Sequence, residues 1–207
     1  MNLNQLFQNH CKKNNLEINP NQLNLINELN HFYDLNFNQS FLKKIFSKKN
    51  SKSGFYLYGD VGVGKTMILN FFLDQVNERK LRKHFNEFML NFHDFFHDRK
   101  DKNEENIINQ FVKDLKLKAS LIYFDEFQVT NIVDAMILGK LFKRIFEEKI
   151  KVVFSSNIEI KDLYKDGLQR DQFIPFLKIL ENNCYQKELS INEDYRLSKN
   201  INLERFL

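Results

Sequence analysis

The chain has 207 residues, a formal net charge of +4 and a hydrophobic content of 43%, enough for one sizeable core with or without an appendage. Only six Gly and two Pro exclude an all-β fold built on many tight turns, and the 22 Phe are expected to fill the interior. The charge is spread along the chain and too weak to argue for nucleic acid, while Cys11 and Cys184, isolated and without C-x-x-C spacing, argue against a disulfide framework or zinc knuckle and for a reducing cytosol.

The opening stretch "MNLNQLFQNHCKKNNLEINP" has no apolar core of signal-peptide type. No apolar run approaches the ~20 residues needed to span a bilayer. A cytoplasmic protein without a transmembrane segment is expected. Residues 1–50 read as an N-terminal helical segment. "NPNQLNLINELNHFYDL" places Leu25, Ile26, Leu29, Phe32 and Tyr33 on one stripe at helical spacing. "SFLKKIF" repeats the pattern with Phe41, Leu42, Ile45 and Phe46. The densest basic run (Lys43, Lys44, Lys48, Lys49 and Lys52) is either a solvated helix end and linker or a patch for an acidic partner.

The period then changes. "GFYLYG" (54–59) is a short apolar run bounded by glycines and reads as a buried strand. "KTMILNFFLDQVNERK" reads as a helix, and "KHFNEFML" (83–90) alternates like a strand. A charged, partly helical span runs to about Lys118, followed by "SLIYFDE", a strand ending in two carboxylates. Asn131 to Lys149 is predicted helical, with Asn131 as N-cap and Asp134 three residues on. Its stripe is Ile137, Leu138, Leu141, Phe142, Ile145 and Phe146. "KVVFSSN" is another strand, "DLYKDGLQRDQFIPFLKIL" is mostly helical, and "CYQKELSI" supplies a last strand. Strands alternating with helices predict an α/β fold with a parallel sheet covered on both faces.

One stretch carries the chemistry. "YLYGDVGVGKTMI" contains G-x-x-x-x-G-K-[ST] as Gly59, Gly64, Lys65 and Thr66, with a strand before it and a helix after it. A phosphate chain needs backbone N–H groups pointing inward, and glycines let the main chain turn and approach closely. The segment Gly59, Asp60, Val61, Gly62, Val63, Gly64, Lys65 and Thr66 is therefore the expected cradle. The first helical turn adds N–H donors and a positive dipole end. Lys65 is expected to reach the β and γ phosphates, and the Thr66 hydroxyl to ligate Mg²⁺.

"LIYFDE" supplies the second element. In a parallel sheet the C-terminal ends of the strands face the ligand crevice. Asp125 there can hold the Mg²⁺ shell, and Glu126 is placed to polarise a water against the γ phosphate. Asn157, after "KVVFSS", either presents a neutral amide to that water or only forms a turn. No N-K-x-D guanine-reading segment and no LSGGQ-like segment is present, so ATP is the expected nucleotide. "HDFFH" (93–97) places His93 and His97 on one helical face, a weak echo of H-E-x-x-H with Asp94 as a poor general base.

Taken together, these motifs resemble the ZapE / mitochondrial AFG-like ATPases, a branch of the AAA+ superfamily. The similar segments, in order, are "GFYLYGDVGVGKTMILNFF", "KHFNEFMLNFH", "LIYFDEFQVTNIVDAMILGKLF", "VVFSSNIEIKDLYKDGLQRDQFIPFL" and "NEDYRL". The resemblance implies a P-loop NTPase of AAA+ type, hydrolysis of ATP with Mg²⁺, and assembly into a homo-oligomeric ring. It matches Asn157 to the sensor-1 position and Arg170, in "GLQR", to an arginine finger reaching a neighbour's γ phosphate; from the residues alone, Arg170 could equally pair with Asp166 or Asp171. Bacterial members act in cell division near the constriction ring, and mitochondrial ones are linked to quality control of inner-membrane complexes. A protein partner of one of those kinds is implied, met in the cytoplasm or peripherally at the inner membrane or division site. Family members are longer, and their small helical lid is expected to be absent here. That divides the chain into a helical segment (1–50), an ATPase core (51–191) and a tail (192–207). The alternatives are a nucleotide-gated binding module with little turnover and a DNA-handling ATPase of helicase-loader type.

Overall fold

The computed structural model describes residues 3–38, 51–99 and 103–190. The predicted stripe of Phe41, Leu42, Ile45 and Phe46, the Lys43–Lys49 part of the basic run, and the "NEDYRL" segment lie outside the described residues. Five strands form one sheet: β1 (Gly54–Tyr58), β2 (Lys80–His84), β3 (Leu121–Asp125), β4 (Lys151–Ser156) and β5 (Cys184–Glu188). Their order is β2-β3-β4-β1-β5, and every pairing is parallel. The composition follows the order. The inner strands "GFYLY", "LIYFD" and "KVVFSS" are nearly continuous apolar runs, because helices cover both faces. The edge strands "KLRKH" and "CYQKE" are polar.

Alternation along the strands divides the interior in two. Phe55, Leu57, Tyr123 and Val153 pack with α1 (Leu3–Lys13), α2 (Pro20–Asn36) and α3 (Lys65–Gln75). Tyr56, Ile122, Phe124 and Phe154 pack with α4 (Phe85–His97), α5 (Glu104–Lys118), α6 (Ile132–Glu147) and α7 (Arg170–Asn183). Phenylalanine fills the second layer as expected: Phe127 lies 4.8 Å from Phe154 and 4.4 Å from Phe85, ring centre to ring centre. The α2 stripe predicted from spacing is buried at Leu25, Ile26, Leu29, Phe32 and Tyr33. The N-cap at Asn131 is present, its side chain accepting from the Val133 amide at 2.9 Å.

Two boundaries differ from the sequence reading. "KHFNEFML" is not a strand: β2 ends at His84 and α4 begins at Phe85. Phe85, Phe88, Met89 and Phe92 are all buried and fall at i, i+3, i+4 and i+7, a helical period that four residues of apparent alternation concealed. The helix after the glycine loop ends at Gln75 rather than near Lys80. Lys80 instead opens β2 and turns its ammonium back onto the Leu73 and Val76 carbonyls, closing that helix.

Register places the site. Tyr58 lies opposite Ser156, Phe124 opposite Phe154, and His84 opposite Asp125. The C-terminal ends of β1, β2, β3 and β4 therefore open at one end of the sheet, with the glycine loop after β1.

Candidate nucleotide site

Gly59 leaves β1 at φ 150°, and a Cβ there would lie 2.2 Å from the Leu189 carbonyl oxygen. The chain after β5 presses onto this turn, with the Leu189 N–H donating to the Tyr58 carbonyl at 2.8 Å. Gly64 takes the left-handed conformation (φ 93°) and starts α3 with no side-chain cap. The amides of the first turn thus point to the loop's hollow, a ready anion site. Gln22 of α2 backs the loop, its amide 3.4 Å from the Val63 carbonyl.

Lys65 is buried and donates to three oxygens: the Gly59 and Asp60 carbonyls, both at 2.7 Å, and Asn157 Oδ1 at 2.9 Å. Burial pushes its pKa below the usual lysine value, while the charges of Asp60 and Asp125 pull the other way. The lysine and Asn157, far apart in sequence, thus form one contact. Thr66 Oγ1 lies 3.5 Å from Asp125 Oδ1, at the long limit of a hydrogen bond.

Asp125 is only 2% exposed. Its Oδ1 accepts from Ser155 Oγ at 2.7 Å and Tyr123 OH at 2.8 Å, and its Oδ2 from Arg82 Nη2 at 2.6 Å. Burial would raise this carboxyl, but the bonds from Ser155, Arg82 and Tyr123 and the Arg82 charge outweigh it, holding the group below the usual carboxylate value. Glu126 is the opposite case. It has φ 54° and a side chain 77% exposed, and its Oε2 lies 3.6 Å from His84 Nδ1. The Phe127 N–H donates to the Ser155 carbonyl at 2.7 Å, so the backbone is pinned just beyond the acid.

Arg170 stands apart. Its guanidinium donates to the Leu163 carbonyl at 2.8 Å and the Lys161 carbonyl at 2.6 Å, not to Asp166 or Asp171. The "LYKDG" block before it folds tightly, with the Tyr164 ring where a Gly167 Cβ would project. His93 of "HDFFH" bonds Asp134 of α6 at 2.6 Å and so joins two helices. The structure therefore brings together Gly59 to Thr66, Asp125 and Asn157, places Glu126 beside them facing outward, and directs Arg170 to its own turn.

Four contributors were not singled out in the sequence: Arg82, His84, Tyr123 and Ser155. Tyr123 was legible by period two, since it shares a face with Asp125 two residues on. Arg82 was not, because its strand boundary was misplaced.

A model of the family described as AFG1-like ATPase matches residues 1–206. The chain belongs to that family. It is 40% identical over 160 residues to lactation elevated protein 1 homolog B of Danio rerio, covering 72% of this chain and 32% of that protein. It is 36% identical over 158 residues to the cell division protein ZapE of Escherichia coli K12, covering 75% of this chain and 41% of that one. The chain thus spans well under half the length of these relatives. The fold is also found in DnaI (TM-score 0.54, 16% identity, 86% of this chain and 89% of that one) and in AMPPCP-bound DnaA from Aquifex aeolicus (TM-score 0.56, 14% identity, 88% and 51%). At 14–16% identity these neighbours share the fold, a parallel sheet flanked by helices. Among the described residues, no helix is long and apolar enough to cross a membrane.

The donor set fits a small hard cation. Mg²⁺ takes oxygen ligands, typically one or two from protein and the rest from phosphate and water. The Thr66 hydroxyl and the Asp125 carboxylate are such a pair, and Asp125 is held ionised.

Proposed function

We propose that this site binds ATP and hydrolyses it, and that the protein uses the cycle to remodel or regulate a protein partner. The observation that carries the reading is Lys65: a buried ammonium between the loop carbonyls and Asn157, with Thr66 and Asp125 at the same end of the sheet. The loop amides and α3's first turn hold the phosphates, and Lys65 moves from loop carbonyls to phosphate oxygens. Thr66 and Asp125 would hold Mg²⁺, which supplies charge neutralisation on the phosphate oxygens. Glu126, exposed at the end of β3, accepts a proton from the attacking water, and Asn157 orients that water. His84 Nδ1 lies 3.6 Å from Glu126 Oε2 at the same exposed rim. Arg170 serves a neighbouring copy in a ring, once released from the Lys161 and Leu163 carbonyls.

In this reading residues 51–191 carry the ATPase core, and 1–50 and 192–207 flank it. Similarity to a cell division protein supports a partner in the division machinery, and the resemblance read from the sequence implies a membrane-complex partner as the alternative. The protein works in the cytoplasm, or peripherally at the inner membrane or division site. A nucleotide-gated binding module is the second reading, favoured by the outward-facing Glu126. For a DNA-handling role, DnaI and DnaA offer no more than the shared fold. The test is MgATP turnover by the purified chain beside Glu126→Gln, with binding read by a fluorescent ATP analogue. Glu126→Gln should bind as wild type and turn over about 10²–10⁴-fold more slowly. Binding without turnover in both would establish the gated module, and absence of binding in both would overturn the nucleotide reading.

A further inference from the structure

Asp125 has more partners than its orientation requires. Its Oδ1 accepts from two buried hydroxyls, Ser155 at 2.7 Å and Tyr123 at 2.8 Å. A carboxylate oxygen has two lone pairs, so these donors fill Oδ1 and hold the group in place. Arg82 therefore contributes something other than orientation. Its Nη2 lies 2.6 Å from Oδ2 and supplies the opposite charge to a residue only 2% exposed. An ionised carboxylate at that depth is costly to keep without such a charge.

The other cation of the site is engaged with neutral oxygens. Lys65 donates to the Gly59 and Asp60 carbonyls and to Asn157 Oδ1. Arg82 is placed so that it can leave. It stands on an edge strand, and 46% of its side chain is exposed. Its guanidinium carbon lies 5.5 Å from the centre of the Tyr123 ring, an attraction that does not need the carboxylate. Beside it a hollow of about 370 Å³ opens between β2 and α3, lined also by Asn70 and Asp74. A guanidinium released from Oδ2 thus has an aromatic face, space and a second carboxylate at hand.

We propose that Arg82 is an exchangeable counter-ion of Asp125, neutralising it while the site holds no metal and giving it up to the Mg²⁺ that accompanies the nucleotide. The inference rests on the nucleotide reading above and adds to it a second role for the charge on β2. Thr66 and Asp125 are the pair that would hold Mg²⁺. A guanidinium and a divalent ion at one carboxylate repel each other, so the two occupancies oppose one another. The same guanidinium favours a metal-free phosphate chain, which would otherwise approach a bare carboxylate. Arg82 therefore makes nucleotide capture less dependent on metal. A pair that only braced β2 against β3 would make no such distinction.

The test uses the full chain and a fluorescent, non-hydrolysable ATP analogue, read by anisotropy in EDTA and in saturating Mg²⁺. Arg82→Gln should bind the metal-free analogue about tenfold more weakly than wild type, and the Mg²⁺ complex within about twofold of it. Arg82→Lys, which keeps the charge and loses the planar fork, should stay within about threefold of wild type in both conditions. Should Arg82→Gln fail to fold by circular dichroism, Arg82→Met, which retains an apolar stem over Tyr123, decides, with the same expectation. Equal weakening with and without Mg²⁺ would mark a bracing role and overturn the exchange, as would wild-type affinity of Arg82→Gln in EDTA. Failure of the wild-type chain to bind the analogue in either condition would instead remove the nucleotide reading itself, and this inference with it.

Discussion

The inner strand β1 and the edge strand β2 each bring a cation to the candidate site, by opposite means. From β1 the chain turns through three glycines, and Lys65 is clasped, buried, by two oxygens from the loop and one from Asn157, just after β4. From β2, Arg82 runs over the face of Tyr123, its guanidinium carbon 5.5 Å from the ring centre, and reaches Asp125 with 46% of its side chain exposed. The first cation is positioned by backbone that covalent neighbours dictate. The second is positioned by a strand pairing and an aromatic surface, and it remains open to outside competitors. A site can thus have a fixed charge for its substrate and an exchangeable one for its acid.

The largest effect that would separate the two cations is Lys65→Ala. It should abolish measurable binding of a fluorescent ATP analogue, a loss of at least 100-fold, because Lys65 is the ammonium held against the loop carbonyls. Gly59→Ala attacks the same loop through its backbone. With Leu189 O in the way of a Cβ and φ at 150°, it should cost about 1–3 kcal/mol by chemical denaturation. Arg82→Gln should lower turnover less than tenfold and leave nucleotide affinity near wild type; an effect as large as that of Lys65→Ala would erase the distinction between the two positions. The smallest effect is on pH dependence. The Asp125 carboxyl is held below its unfolded value, so its contribution to stability is complete above about pH 4 and is lost as pH falls through its lowered pKa. Asp125→Asn should therefore flatten the acid limb of a melting-temperature profile, and an unchanged limb would mean that Arg82, Tyr123 and Ser155 do not stabilise the charged form.

The two regions also differ in how legible they were. The glycine loop was readable because its constraints are local: Gly64 needs a positive φ, and an apolar strand and helix must flank the turn. Asp125 and Glu126 were readable as the end of an apolar run, yet their opposite environments were not, since β3 ends at Asp125, which turns towards Ser155, Tyr123 and Arg82, while Glu126 follows with φ 54° and its side chain exposed. The β2 edge was misread. "KLRKH" lacks the apolar content that marks an inner strand, and the buried face of α4 starts immediately after it with no turn residue between. Arg170 shows a further limit: its partners are carbonyls, which every residue possesses, so no side-chain pairing could have been inferred.

The sequence by itself determined the class of fold, the glycine loop and the order of the acids after it, because those follow from hydrophobic period and from backbone conformations that few residues tolerate. Tertiary structure alone decided the strand order, the contact between Lys65 and Asn157, the clamp on Asp125 and the edge position of β2. Each of these depends on pairing between segments far apart in the chain, and local propensity carries no record of which distant strand a strand will meet.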